Sequence, residues 1–400
     1  MKILRVIPSM DPSSGGPCQG IRNSIPALSK LGIVNEVVSL DDPTASFISK
    51  DPFRIYALGP CKSSWRYSKI LFNWLLKNLI NYDAVIVHAL WLYHGYAVRK
   101  ALEKLKKSGH LKLPKLFVMP HGMLDPYFQK ARNRKLKALR NVIYWKSIES
   151  KLVHAADAVL FTCEEELLLA RQPFHPYHPH KETNVGYGIT EPPHITQKMF
   201  LAFSKRCPEI TNKNYFLFLS RIHDKKGVDL IIKAYLQVFY NEKKVFSTAP
   251  MLVIAGPGLE TDYGKEVKQL AVNSKAANSI LFPGMLEGDA KWGAFQGCEA
   301  FILPSHQENF GIAIVEAMAC SKPVIISDKV NIWREISNAG AGLVAPDTAE
   351  GTLQSMKEWS SLKGLEKLEM GKKARACYEQ QFAIEPAARK LADTLQFSIS

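Results

Sequence analysis

Short β-rich apolar runs alternate with longer amphipathic segments from one end of this chain to the other. "ILRVIP" (3–8), "NEVVSL" (35–40), "DAVIVHAL" (83–90), "KLFVMPH" (115–121) and "DAVLFT" (157–162) are each separated by helical material such as "GIRNSIPALSKLG" (20–32). Nearly continuous apolar strands of this kind belong to parallel sheets covered on both faces, so the alternation predicts an α/β protein built of βαβ units. A polar, His- and Pro-rich stretch interrupts at 171–198. The pattern then restarts with "NYFLFLSR" (214–221), "PMLVIAG" (250–256), "SILFPG" (279–284), "EAFILPS" (299–305), "KPVIIS" (322–327) and "AGLVAP" (341–346), and helical sequence fills most of 348–397. Two doubly wound domains fit better than one giant sheet: 1–190 and 191–381, with a linker near 190–212. A last helix, 382–400, is open to either and is placed here with the first.

The net charge of +15 draws the chain to anionic partners, among them phosphorylated small molecules, acidic lipid and nucleic acid. Part of it is concentrated in "KARNRKLKALRNVIYWKSIESK" (130–151), which carries eight Lys/Arg against Glu149 alone. Leu136, Leu139, Ile143, Ile148 and Leu152 recur there at helical spacing, which suits a helix packed on the core or one lying on an anionic membrane surface. Nucleic-acid binding would want aromatic and basic residues interleaved on one strand face, and no strand has them. Seven scattered cysteines without a C-x-x-C pair point to reduced thiols and a cytoplasmic setting. The opening "MKILRVIP" is too short for a signal-peptide core, and no run reaches the roughly 18 apolar residues of a membrane span.

In open α/β sheets ligands bind beyond the carboxyl ends of the strands, so chemistry is sought there. After the first strand, Gly15 and Gly16 open a helix, where backbone N–H groups can approach a phosphate or sugar. His121 and Gly122 follow another strand. In "LSRIHDKKG", Arg221 and Lys226 flank a strand-to-helix loop and suit a diphosphate. "SHQENFGIAIVEAMA" (305–319) delivers Glu308 from a strand end, while the N–H groups of Asn309, Phe310, Gly311 and Ile312 open a helix that carries Glu316. Two carboxylates would repel a phosphate, so they are better suited to accepting from neutral hydroxyls, one on a sugar and one on a ribose. Trp91, Tyr93 and His94 in "HALWLYHGY" offer aromatic faces for sugar stacking, with plain core packing the equal alternative. "GAGLVA" (340–345) fits a dinucleotide fingerprint but opens no helix, and "HPYHPH" (175–180) has no interleaved carboxylate or cysteine; both read as turn or loop.

Taken together, "GGP", "PHG", "SRIHDKKG" and Glu308-x7-Glu316 within "ENFGIAIVEAMACSKPVI" resemble a GT-B glycosyltransferase of the large retaining family 4, with the resemblance running from about residue 3 to 397. It implies two Rossmann-like domains facing each other across a cleft, and transfer of a hexose, glucose first, from a UDP-sugar to a glycan or polyprenyl-diphosphate-linked acceptor. By the same resemblance Gly16 contacts the donor, Arg221 and Lys226 neutralise the leaving diphosphate, and Glu308 holds donor-sugar hydroxyls. Glu316 takes the ribose, Met285 and Leu286 lie along the nucleobase, and His121 faces the transferred sugar. No Asp-x-Asp occurs, so neither a metal nor another cofactor is expected. UDP-sugar 2-epimerases share the architecture and stand as the alternative enzyme class.

Overall fold

A computed structural model describes residues 1–61, 63–130, 135–240 and 249–399, which form two compact units, 1–190 with 384–400 and 191–383. In the first, β1 (Lys2–Val6) leads to α1 (Gly16–Lys30), β2 (Val34–Ser39), β3 (Ile55–Ala57) and α2 (Lys69–Asn78). Then come β4 (Ala84–His88), α3 (Tyr93–Lys107), β5 (Lys115–Met119) and three helices, α4 (Tyr127–Lys130), α5 (Lys135–Tyr144) and α6 (Ser150–Ala155). β6 (Ala158–Phe161), α7 (Glu164–Ala170) and β7 (Glu182–Asn184) complete the sheet. Its seven strands run in the order β3-β2-β1-β4-β5-β6-β7, all parallel. The direction of winding reverses between β1 and β4.

The second unit begins with α8 (Gln197–Arg206), a helix inside the stretch read from sequence as a linker. It contributes buried Met199 and Phe203, and Phe203 packs on Tyr215, so the segment is structural rather than a free connection. β8 (Tyr215–Leu219), α9 (Val228–Phe239), β9 (Met251–Ala255), α10 (Asp262–Val272), β10 (Ile280–Gly284), α11 (Gly288–Gly297) and β11 (Ala300–Leu303) follow. The unit ends with α12 (Ile312–Ala319), β12 (Val324–Ser327), α13 (Trp333–Ala339), β13 (Gly342–Ala345), α14 (Ala349–Ser361) and α15 (Gly364–Cys377). Its six-stranded sheet is ordered β10-β9-β8-β11-β12-β13, again parallel, with the reversal at β8 and β11. Strands such as "AVIVH" and "MLVIA" are buried along their whole length because helices cover both faces.

α16 (Ile384–Ile399) belongs to the first unit. Its Ile384, Ala388, Leu391, Ala392 and Leu395 join Ile3, Ala84, Ile86 and Phe117 in one core layer beside α1.

The basic stretch departs from its reading as one continuous helix. Residues 131–134 lie outside the described residues; after them α5 gives way to a π-helical turn, Trp145–Glu149, before α6. A π-turn inserts a residue and rotates everything beyond it relative to everything before. The inserted residue accommodates the five-residue step from Ile143 to Ile148, yet the two halves of the apolar stripe meet different surroundings. Leu152 is fully buried, whereas Leu136, Leu139 and Ile143 are 85%, 60% and 60% exposed. Trp145 fills the core instead, stacked 5.0 Å from Phe174.

Candidate active site

The reversal at β8 and β11 sets two strand-to-helix loops side by side, and their backbones are stitched together. The Lys225 carbonyl accepts from the His306 N–H (2.8 Å) and the Ser305 hydroxyl (2.9 Å). Gly227, at φ +66°, approaches the Pro304 carbonyl so closely that a Cβ would sit 2.4 Å from the oxygen, so no other residue fits the turn. The Glu308 N–H donates to the Lys329 carbonyl and its own carbonyl accepts from Asn331, each at 2.9 Å. Gly311 then opens α12 at φ +74°. Within this frame Lys226 Nζ donates to Glu308 Oε2, a pair shielded from most solvent.

The two glutamates eight positions apart sit in opposite surroundings. Burial pushes the Glu308 carboxyl up, but Lys226 beside it, with Lys225 and the Asn309 N–H, more than reverses this and leaves it below the usual range. For Glu316, burial outweighs the single lysine it meets, Lys291 on α11 at 2.7 Å, and its carboxyl is raised. One carboxylate is locked as an anion; the other holds a proton more readily.

Arg221 is exposed, and its backbone is pinned between two bonds to the neighbouring β9 loop: Ser220 N–H to Ala255 (3.1 Å) and Ile222 N–H to Pro257 (2.8 Å). Phe310 is buried and meets Phe382 edge-on, so its side chain serves packing, while Ile312 begins the helix partly exposed. Met285 is 57% exposed and Leu286 is buried. Arg206 Nη2 donates to the Pro283 carbonyl (2.6 Å) and reaches the Met285 carbonyl (3.4 Å), bracing that strand end.

In the first unit, Gly15 has φ +86° and Gly16 starts α1, its carbonyl accepting from the Tyr187 hydroxyl at 2.7 Å. His121 follows β5 at φ +55°, a conformation rare outside glycine, and the next N–H, of Gly122, donates to Glu166 at 2.5 Å. His121 Nε2 lies 2.9 Å from His88 Nδ1. The reading of Trp91, Tyr93 and His94 as a sugar-stacking loop is corrected in part. Tyr93 and His94 belong to helix α3 and are buried, His94 completely, with its Nε2 on the His88 carbonyl at 2.8 Å. Trp91 keeps some exposure but packs on Phe174 and Trp145, and its N–H donates to Glu149 at 2.7 Å. Core packing accounts for Tyr93 and His94, while Trp91 keeps one part exposed.

Sequence reasoning passed over Lys291, Arg206, Arg5 and His88. Lys291 stands 25 residues before Glu316, on another helix, with no local signal of the pairing. Arg5 offered one clue, a charged residue in the middle of an apolar strand. Among the described residues, no cluster of His, Cys, Asp and Glu is disposed to hold a metal ion, and no helix is long and apolar enough to cross a membrane.

Residues 202–376 match the family model described as Glycosyl transferases group 1. The O-antigen chain mannosyltransferase RfbU of Salmonella typhimurium is 30% identical over 157 residues, covering 39% of this chain and 39% of that protein. The alpha-monoglucosyldiacylglycerol synthase of Streptococcus pneumoniae is 29% identical over 188 residues, 43% of this chain and 41% of that one. The chain spans less than half the length of the curated relatives it matches. Among solved structures, a glycosyltransferase from Rickettsia africae superposes with TM-score 0.75 at 17% identity, covering 100% of this chain and 98% of that one. Anabaena HepE in complex with UDP-glucose gives 0.72 at 17%, covering 99% and 100%. These likenesses establish the fold as GT-B.

Proposed function

We propose that this chain, whose residues 202–376 match the glycosyl transferases group 1 model, moves a hexose from a UDP-sugar to a glycan or lipid-linked acceptor with retention of configuration. The observation that carries the reading is the Lys226–Glu308 pair held between two stitched loops at the winding reversal of the second sheet. Such a reversal is where open α/β sheets bind nucleotides. Lys226 and Arg221 oppose the charge of the leaving diphosphate, while Glu308, kept anionic, accepts from donor-sugar hydroxyls and Glu316 from the ribose. The backbone of Asn309, Phe310, Gly311 and Ile312 at the start of α12, and of Met285 and Leu286 after β10, line the donor. In the first unit, Gly15 and Gly16 offer backbone to the donor and His121 supports charge developing at the anomeric carbon.

In the reaction the bond from anomeric carbon to diphosphate oxygen breaks and the bond to the acceptor oxygen forms. The acceptor proton passes to the departing phosphate. Two side-chain cations, Lys226 and Arg221, take the place a metal would otherwise fill, so we expect turnover to be unchanged in excess EDTA. Glucose is the first candidate for the sugar, a choice supported by the UDP-glucose complex of HepE; the mannosyl- and glucosyltransferase names of the relatives keep mannose in the test. A lipid-linked acceptor accords with α5, whose exposed Leu136, Leu139 and Ile143 stand among Lys135, Lys137, Arg140 and Lys146 and suit an anionic membrane face.

A thermal-shift panel of UDP-, GDP- and ADP-sugars tests the reading. UDP-glucose should raise the melting temperature, with UDP released only when an acceptor glycan is added. Absence of any shift with every nucleotide sugar would sink the proposal, and a 2-epimer formed without acceptor would replace it with epimerisation.

A further inference from the structure

We propose that Arg5 and His88 form a one-way hydrogen-bond relay that fixes His121 as a donor at Nδ1, and are thus positioning residues for sugar transfer; the inference rests on the role given to His121 above. Arg5 lies in the middle of β1 at 2% exposure. Its Nε donates to the Asn35 side-chain oxygen (3.0 Å), and its Nη2 has no protein acceptor among the described residues. Burial alone lowers its pKa, to about 10. A guanidinium buried without a carboxylate is costly, and it calls for a reason.

The reason lies in the direction of its second contact. Arg5 Nη1 is 3.4 Å from His88 Nε2. That contact is long, yet guanidinium has donors only, so Nε2 of His88 must accept. A neutral His88 then carries its proton on Nδ1, which lies 2.9 Å from His121 Nε2. His121 in turn accepts at Nε2 and holds its own proton at Nδ1, the tautomer that a free histidine side chain in water adopts less often.

The scheme needs both rings neutral. Burial, followed by the charge of neighbouring groups, keeps both well below the usual histidine range, His121 at about 3. The surroundings also favour a rigid relay. Arg5, His88 and His121 line a cavity of about 30 Å³ with Met119, Tyr187 and Leu391, enough for about one water. In such a low-dielectric setting a chain of hydrogen bonds polarises each member. The His88 carbonyl is held by His94, and the strained His121 backbone is followed by the Gly122–Glu166 bond.

Nitrogen-detected NMR of the labelled full chain tests the relay without any variant. Both His88 and His121 should show the neutral, Nδ1-protonated pattern at pH 7. A wild-type His121 protonated at Nε2 overturns the proposal. In Arg5→Met, His88 should lose its single tautomer, and turnover should fall about tenfold with UDP affinity unchanged, because only orientation is lost. On a His121→Ala background the same change should cost nothing further; a full additional loss overturns the relay. His121→Ala at wild-type turnover, with the tautomers as stated, would instead remove the role of His121 and leave the relay standing.

Discussion

At the scale of single residues, the second unit separates two carboxylates that the sequence presents as near equivalents. Lys226 faces Glu308 with little solvent between, so removing the lysine alone strands a buried anion. Lys226→Met should destabilise by about 2–3 kcal/mol, less than the 3–5 of a fully buried pair because Glu308 keeps some exposure, and adding Glu308→Gln should restore most of it. Denaturant titration of the wild type, the two single variants Lys226→Met and Glu308→Gln, and the double variant measures this. Lys226→Ala should also slow turnover about 10²- to 10³-fold, the usual cost of one preorganised charge on a leaving group. Glu316 behaves differently because burial raises its carboxyl. Its ionised form accepts from the ribose, so UDP affinity should fall as pH drops through its raised pKa, and Lys291→Met should move that fall to higher pH. Calorimetric titrations from pH 5 to 8 that superpose for both proteins would contradict the assignment. The positions of Lys226 and Glu308 were legible because each closes a strand-end loop with a fixed neighbour in sequence. The Lys291 pairing was not, since the packing of two helices creates it.

Among the elements, the π-turn at Trp145–Glu149 shows how a stripe read from sequence can face two ways. The repeat steps by five residues from Ile143 to Ile148, a spacing the π-turn accommodates, but the α5 half is exposed and the α6 half buried, and only coordinates reveal what covers each. Replacing Leu136, Leu139 and Ile143 together with serine should leave stability within about 0.5 kcal/mol, as exposed positions do. The same triple variant should lose binding to vesicles containing anionic lipid, measured by co-sedimentation at low and high salt. The turn also carries Glu149, fully buried, with one oxygen on the Trp91 N–H and the other without a partner among the described residues. Burial raises its carboxyl from the usual 4.5 to about 8. A raised carboxyl stabilises the folded chain most at low pH, and that contribution drains away between about 4.5 and 8, at up to about 1.4 kcal/mol per pH unit. Glu149→Gln should fold and should lack this slope in urea titrations across the same range. The elements the sequence hid are of another kind. β3 and β7 are three-residue edge strands, too short for alternation to register, and β7 lies inside the His- and Pro-rich stretch.

Across the whole molecule, the βαβ alternation was enough to read the α/β class and the division into two doubly wound domains, because strand after strand is apolar along its length and each must be covered on both faces; the GT-B fold was implied only by the resemblance of the strand-end motifs. It could not say which unit receives the last helix, since an amphipathic segment fits any apolar layer. The structure gives α16 to the first unit, where five of its side chains complete a core layer begun at Ile3. The chain therefore leaves that unit near residue 190 and returns to it at 384. Burial of Ile384, Leu391 and Leu395 at about 1.5–3 kcal/mol each, with the two alanines adding less, sums to about 5–10 kcal/mol, comparable to the whole stability of a domain. Ending the chain at residue 383 should therefore unfold the first unit and spare the second, to which α16 does not belong. Calorimetry should show one transition lost and one kept, limited proteolysis should yield a resistant fragment starting near residue 191, and UDP should still raise the surviving transition. A truncated chain that melts like the intact one would mean that the helix contributes no core to residues 1–190.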